Sequence, residues 1–337
     1  SLRTTPEADT LQSLAATMSE RHMRHLVMEV SSHALAMNRM RGSHFAMVGF
    51  TNLSQDHLDF HKNMDSYFAA KASLFTLEYA DLAFINIDDA YGIKLAQQTE
   101  LPVMTVSRHD HNATWHYVSI TRDYVGAHVA IRGSAGILIE GKVHLHGGYN
   151  LDNLLMAVAI ATESGIDPID IAAILPQLSG AAGRLESVRL GQNFTALVDY
   201  AHSPDAVTRV LETAHEISDG RVIAVLGCGG DRDTSKRALM GKALHEGADV
   251  AIFTSDNPRS EKADAILVQM TLGLDIQEPS AIIEDRSQAI RTAVNEAKDG
   301  DLVIVLGKGH EKGQEIAGVN HPFDDRVELA KAIEDKK

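Results

Sequence analysis

The sequence predicts an α/β protein of two domains, the second doubly wound and Rossmann-like on a largely parallel sheet. Three observations carry that prediction. In the second half, short apolar runs at 195–198, 222–226, 250–253, 281–283 and 302–306 alternate with segments of helical period at 207–217, 235–246, 262–274 and 286–298. That is the pattern of strands joined by crossover helices. The polar residues suited to chemistry follow these apolar runs directly, where open α/β sheets bind ligands. The length of 337 residues suffices for two domains of roughly 100–200 residues, each with its own core.

In order along the chain, TTPEA leads into a helix with Leu11, Leu14, Ala15 and Met18 on one face and Asp9 or Thr10 as its cap. The apolar run 25–30 reads as a buried strand ending in the polar MEVSSH, and 45–51 as a second, followed by NLSQDHLDFH. Residues 64–75 have helical spacing, and 82–87 and 103–106 read as short strands. Between 114 and 146 the residues alternate and glycines recur, which predicts antiparallel hairpins. Helices follow at 151–164 and 168–178. The small, flexible SGAAGR at 179–184 reads as a linker, giving domains at 1–178 and 179–337.

Composition narrows the function. With 31 Lys+Arg against 46 Asp+Glu, the formal charge is −15, so the surface repels nucleic acid and anionic membrane. Anionic ligands must then be met by a few placed cations, a metal ion or backbone amides. The single cysteine, Cys228, cannot form an internal disulfide, and the pattern fits a reducing, cytoplasmic setting. No apolar run approaches the ~18 residues that a membrane span requires.

Three groups at strand ends stand out. Glu29 and His57 each lie at or just after the end of a predicted strand of the first domain and suit one Mg²⁺ ion better than zinc, which would call for softer ligands. His57 and His61 share a helical face if DHLDFH is helical, or are polar loop residues. GCGGDRD is a glycine-rich turn with Arg232 beside it, either an anion-binding turn or simply a tight one. DNPR places Asp256, Asn257 and Arg259 at one strand end, and GKGHE places Gly307 and Glu311 at another. Such loops suit a zwitterion, with Arg259 for a carboxylate and Asp256 or Glu311 for an ammonium, although DNP alone also forms Asx turns. Cys228 reads as a space-filler.

TTPEA, MEVSSHAL, FTNLSQDHLDFH, YFAAKASLF, GYNLDNLLMA, GRLE, VDYAHSPDAV, VLGCGGDRDTSKR, TSDNPR and GKGHE occur in this order over nearly the whole chain. The ordered set resembles the Mur ligases. The resemblance implies a central ATPase domain followed by a Rossmann-like C-terminal domain. The implied enzyme is a monomer that uses ATP and Mg²⁺ to join a diamino acid to UDP-MurNAc-L-Ala-D-Glu through an acyl phosphate. It further implies Glu29 and His57 as Mg²⁺ ligands and Lys71 as a lysine carbamylated into an acidic group near the metal, with Lys71, His57 and Arg184 serving the reaction. Thr4, Thr5, Ser31 and Arg39 match positions that hold the UDP-MurNAc-dipeptide. Asn150, Arg184 and Asp199 match ATP contacts, and Arg232, Asp256, Asn257, Arg259, Gly307 and Glu311 match the amino-acid pocket.

Arginine in the fourth place of DNPR resembles the meso-diaminopimelate-adding form, because diaminopimelate carries a second carboxylate that a guanidinium can pair. A lysine-adding ligase of the same family and a non-catalytic amino-acid or nucleotide-binding module are the alternatives. The family places a UDP-binding domain and a G-x-x-G-K-[ST] phosphate loop ahead of the TTPEA-like segment, and neither occurs in this sequence. The expectation is therefore a fragment with an incomplete central domain and little ligase activity alone.

Overall fold

A computed structural model describes residues 4–54, 58–123, 126–178 and 180–336. It divides into two compact units, one of Ser1–Val118, Ala130–Ile139 and Asp152–Ile171, the other of Ser119–Val129, Glu140–Leu151 and Ala172–Lys337.

The first half of the chain contains α1 (Ala8–Glu20), α2 (Ser32–Ala36), β1 (Phe45–Phe50), α3 (Leu58–His61), α4 (Met64–Ala72), β2 (Ala80–Asn86), α5 (Ala90–Gln98) and β3 (Val103–Ser107). It continues with β4 (Trp115–Asp123), β5 (Gly126–Arg132), β6 (Leu138–Val143), α6 (Gly148–Glu163) and α7 (Pro168–Ile174). The six strands form one sheet in chain order, and β1 to β4 pair in parallel. Tyr67 and Phe68 of α4 pack with Val48 and Phe50 of β1 and with Ala83 and Ile85 of β2. That packing fixes α4, and the Asn63 side chain caps its first turn by accepting from Ser66 N–H at 2.8 Å.

Two expectations for this half are corrected. Helix α1 starts at Ala8 with Glu7 as N-cap and no side-chain cap bond, because the Asp9 carboxylate accepts from Thr10 N–H just inside the helix. The run 25–30 forms no strand. Nothing among the described residues exchanges ladder bonds with it, and Val27 is left 90% exposed. An apolar run supplies side chains for a buried strand, yet the strand exists only where a neighbour accepts its backbone hydrogen bonds.

The second half contains β7 (Glu186–Ser187), β8 (Thr195–Asp199), α8 (Pro204–Ile217), β9 (Val222–Cys228), α9 (Ser235–Gly247), β10 (Val250–Ser255), α10 (Ala263–Met270), β11 (Ala281–Ile282), α11 (Arg286–Glu296) and β12 (Leu302–Leu306). A hairpin, β13 (Gly313–Ile316) with β14 (Val319–Pro322), and α12 (Asp325–Lys336) complete it. The main sheet runs β11-β10-β9-β12-β8-β7, parallel except for β7. The four central strands, β10, β9, β12 and β8, are buried on both faces, and alternate residues divide cleanly. Leu197, Ala224, Leu226, Phe253 and Ile304 pack under α8, α9 and α10. Val198, Ile223, Val225, Ile252 and Val305 pack under α11 and α12. This is the doubly wound arrangement that strand–helix alternation predicts. The sequence reading missed α5, α12 and the β13–β14 hairpin, so β12, which lies inside the parallel sheet between β9 and β8, is not the final strand of the chain.

Candidate active site

In the second unit the loops after β9, β10 and β12 are braced against one another. Gly230 N–H donates to the Asn257 carbonyl at 2.8 Å, and Arg259 Nη1 donates to the Gly230 carbonyl at 2.7 Å. Gly230 has no room for a side chain: a Cβ there would lie 1.9 Å from the Pro258 carbonyl oxygen. Asp231 accepts from Ser260 Oγ and N–H, while its own N–H donates to Glu261. The Gly230 and Asp231 amides are therefore spent on protein acceptors, and GCGGDRD is a loop-locking turn in this structure. Arg237, 1% exposed, holds it from behind by donating to Glu261, Gln269 and the Gly229 carbonyl.

The DNPR and GKGHE residues converge as expected, with unequal roles. Asp256 is buried, its Oδ1 accepts from Asn257 N–H at 2.6 Å, and burial raises its pKa against the influence of Arg286 and Lys308. Its Oδ1 is thus held by the turn. Gly307, at φ 110°, makes room for it, since a Cβ there would lie 2.9 Å from Asp256 Oδ2. Asn257 Nδ2 donates to Glu311 Oε2 at 2.9 Å, and Asn257 Oδ1 accepts from Lys308 Nζ at 2.9 Å and Glu315 N–H at 3.0 Å. Burial works against the charge of Glu311. The hydrogen bonds from Asn257 and Lys308 outweigh it and hold the carboxyl below its ordinary pKa. Arg259 sits at φ 51°, its Nε 3.4 Å from Glu315. Its Nη2 has no acceptor among the described residues. Arg232 is exposed on the same loop system.

Sequence reasoning missed three interior cations here, Arg237, Lys308 and Arg286. Lys308 is fully buried, and Arg286 pairs with Asp325 at full burial through Nε–H···Oδ1 at 2.8 Å and Nη2–H···Oδ2 at 2.7 Å. Lys308 stood in plain view between two glycines of GKGHE. Nothing in the local pattern around Arg286, which opens a helix, separates it from a surface arginine.

The second unit also gathers the residues expected at a nucleotide. Asp199, at the end of β8, accepts from Leu185 N–H and Ala201 N–H, each at 2.8 Å, and lies 3.5 Å from Tyr149 Oη. Burial raises its pKa, and those two donors together with Arg184 work in the opposite direction. Arg184 is exposed, with its guanidinium 5.6 Å from the Tyr200 ring centroid. Asn150, beside Tyr149, is buried and donates to the His146 carbonyl at 2.8 Å. Gly183 packs on the GKGHE loop so closely that a Cβ would lie 2.4 Å from His310 N. Cys228 is buried, its thiol pushed up to about 12 and its Sγ 3.6 Å from Met240 Sδ, which makes it a filler of space.

In the first unit Thr5, Ser31 and Arg39 come together. The buried Thr5 hydroxyl donates to the Glu29 carbonyl at 3.0 Å and accepts from Ser31 N–H at 2.9 Å, and Ser31 Oγ caps α2. Arg39 donates to the Thr5 carbonyl at 3.3 Å and pairs with Glu7 at 3.1 Å. Thr4 is exposed beside them. Lys71, in the last turn of α4, lies with its Nζ 5.5 Å from the Tyr67 ring centroid. Tyr67 in turn stacks on His61, whose Nε2 is 2.9 Å from Ser32 Oγ. Burial lowers the Lys71 pKa while the charge of Glu29 opposes the shift. His57 lies outside the described residues. No three His, Cys, Asp or Glu side chains cluster as a metal site among the described residues.

Comparison with known proteins decides the family. Residues 1–161 match the Mur ligase middle domain and residues 183–309 the Mur ligase, glutamate ligase domain. A UDP-N-acetylmuramoyl-L-alanyl-D-glutamate--2,6-diaminopimelate ligase of Streptomyces coelicolor is 46% identical over 98% of this chain and 67% of its own length. The chain belongs to the Mur ligase family. An enzyme of the same name from Aquifex aeolicus is 41% identical over 96% of the chain and 66% of its own length. This Mur ligase chain thus spans about two thirds of the length of the curated relatives it matches. A solved structure of a ligase of that name covers 98% of the chain and 69% of its own, with 36% identity and a TM-score of 0.76. A MurF ligase of Thermotoga maritima, at 13% identity and a TM-score of 0.58, shares the fold. No described helix is long and apolar enough to cross a membrane.

Proposed function

We propose that the chain carries the ATPase and amino-acid-binding parts of an ATP-dependent amide ligase that joins meso-diaminopimelate to UDP-MurNAc-L-Ala-D-Glu in the cytoplasm, as a monomer. The boundary between these parts lies near residue 179. The observation that supports the amino acid most directly is Arg259 Nη2, which has no acceptor among the described residues and sits on the loop system that also carries Glu311. One loop offers a planar cation to a carboxylate, and the other offers an anion to an ammonium. Diaminopimelate has two such zwitterionic ends where lysine has one.

The relatives' names add the acceptor, and the Thr5–Ser31–Arg39 group is the element of this chain we assign to it. Asn150, Arg184 and Asp199 are assigned to ATP. Arg184 would meet phosphate charge, and Tyr149 with Asp199 would line the nucleoside side. In this reaction class the acceptor carboxylate is phosphorylated and the amine then displaces phosphate, so the protein's task is to hold two substrates in line. By their place in the family motifs, Glu29 and His57 are the residues we assign to a hard cation, and Mg²⁺ when bound would neutralise phosphate charge. Lys71, its amine pushed toward the neutral form by burial, fits a lysine able to add CO₂ and so present a carbamate. ¹³C-bicarbonate is expected to give a carbamate carbon signal in the wild type and none in Lys71→Ala. An identical signal in both sinks the assignment.

Titration calorimetry tests the amino-acid reading on the chain itself. meso-Diaminopimelate is expected to bind at least about tenfold more tightly than L-lysine, the discrimination that one charge-assisted pair supplies. Equal affinities, or a preference for lysine, would favour the lysine-adding alternative. Binding of diaminopimelate without ATP turnover would mark this polypeptide as a binding module.

A further inference from the structure

The most unusual charge in the second unit is Lys308. Its side chain has no exposed surface, and its charge acts on the buried Asp256 as well as on Glu311. Gly307, with φ 110°, turns the chain so that Lys308 enters the interior behind the loop. Two contacts receive it, Asn257 Oδ1 at 2.9 Å and Glu311 Oε2 at 3.1 Å. These belong to separate loops, after β10 and after β12, so one ammonium pins both.

The geometry at Glu311 is one-sided. Oε2 takes the bonds from Lys308 and from Asn257 Nδ2, while Oε1 has no partner among the described residues. The side chain keeps 35% of its surface exposed. The carboxylate is therefore gripped from behind by one oxygen and presents the other outward. A glutamate side chain free to rotate would lose much of its affinity to the entropy of being fixed on binding. Here that cost is met in the fold.

A buried ammonium with acceptors for two of its three donors is a poor device for stability, since an apolar side chain of similar volume would avoid the desolvation. We propose that Lys308 is a positioning residue of the amino-acid pocket, fixing Glu311 so that Oε1 receives the substrate's ammonium group and fixing Asn257 beside it. The inference rests on the reading of this pocket as the diamino-acid site.

The test is calorimetric titration of the 337-residue chain with meso-diaminopimelate for the wild type, Lys308→Met, Glu311→Gln and the double variant, with thermal melts on each. Lys308→Met is expected to weaken binding about tenfold or more, the loss of a charge-assisted anchor, while the melting transition is retained. Because Lys308 acts through Glu311, the double variant is expected to bind within about twofold of Glu311→Gln alone. Lys308→Gln, which keeps a donor without the charge, is expected to fall between wild type and Lys308→Met. Wild-type affinity in both Lys308 variants overturns the proposal, as does a double variant whose losses multiply. If both Lys308 variants fail to fold, the residue is structural and the positioning role is wrong. A wild-type chain that binds no diaminopimelate overturns the pocket reading together with this inference, whereas wild-type binding with unaffected Lys308 variants overturns the inference alone.

Discussion

Arg286→Met is expected to lower the stability of the second unit by about 3–5 kcal/mol, the cost of leaving one partner of a fully buried ion pair uncompensated. Arg286 and Asp325 are both 0% exposed, so water cannot take over the carboxylate's hydrogen bonds. The guanidinium also donates to the Ser255 carbonyl at 3.2 Å and the Leu306 carbonyl at 2.9 Å. Those are the last residues of β10 and β12, the two strands that lead into DNPR and GKGHE. Against the roughly 5–15 kcal/mol that holds a domain folded, the loss is large. Denaturant unfolding followed by circular dichroism measures it. Pairing Arg286→Met with Asp325→Leu removes both charges and is expected to recover much of the loss. A single-variant loss below about 1 kcal/mol would show that the interior relaxes around the lone carboxylate and that the pair does not secure the strand ends.

Arg259→Ala is expected to weaken meso-diaminopimelate binding about tenfold to a hundredfold, the worth of charge-assisted hydrogen bonds to a carboxylate, while L-lysine affinity changes by less than about threefold. Arg259 Nη1 is tied to the Gly230 carbonyl and Nε lies near Glu315. The guanidinium plane is thereby set before any ligand arrives, leaving Nη2 as its uncommitted end. Calorimetry with both amino acids decides the point. Equal losses for the two would mean that Arg259 holds the carboxylate they share, and discrimination would then have to come from another cation, with Arg232 the first to examine.

The second sheet was legible because its four central strands are buried on both faces. Such strands appear as unbroken apolar runs, and β8, β9, β10 and β12 lie at or within a residue or two of the expected ranges. The strand expected at 25–30 failed because an apolar run says nothing about whether a neighbour completes the ladder. The β13–β14 hairpin escaped notice because its strands are short and largely exposed, although Ala317 and Gly318, both with positive φ, make the two-residue turn that marks it. Among the candidate site residues, those named by motif do cluster: Asp256, Asn257, Arg259 and Glu311 in one place, Thr5, Ser31 and Arg39 in another. Which atoms are free and which are spent was not legible. Asp256 reads as an ammonium acceptor and has one oxygen, Oδ1, held by its own turn, while Glu311 has Oε2 held by Asn257 and Lys308. Lys308 and Arg286 went unnoticed because burial of a charged side chain is a property of the assembled fold, invisible in local pattern.

The cross-bonds among the loops after β9, β10 and β12 bear on how this pocket can change. Gly230 needs the Asn257 and Pro258 backbone where it is, Arg259 needs the Gly230 carbonyl, and Lys308 needs Asn257. Exchanging one loop for that of a ligase with another amino acid would strand donors and acceptors in the other two. A new preference reached one loop at a time would pass through intermediates that bind neither substrate well. The three segments are better regarded as a single heritable cassette, to be transplanted together onto the strand ends.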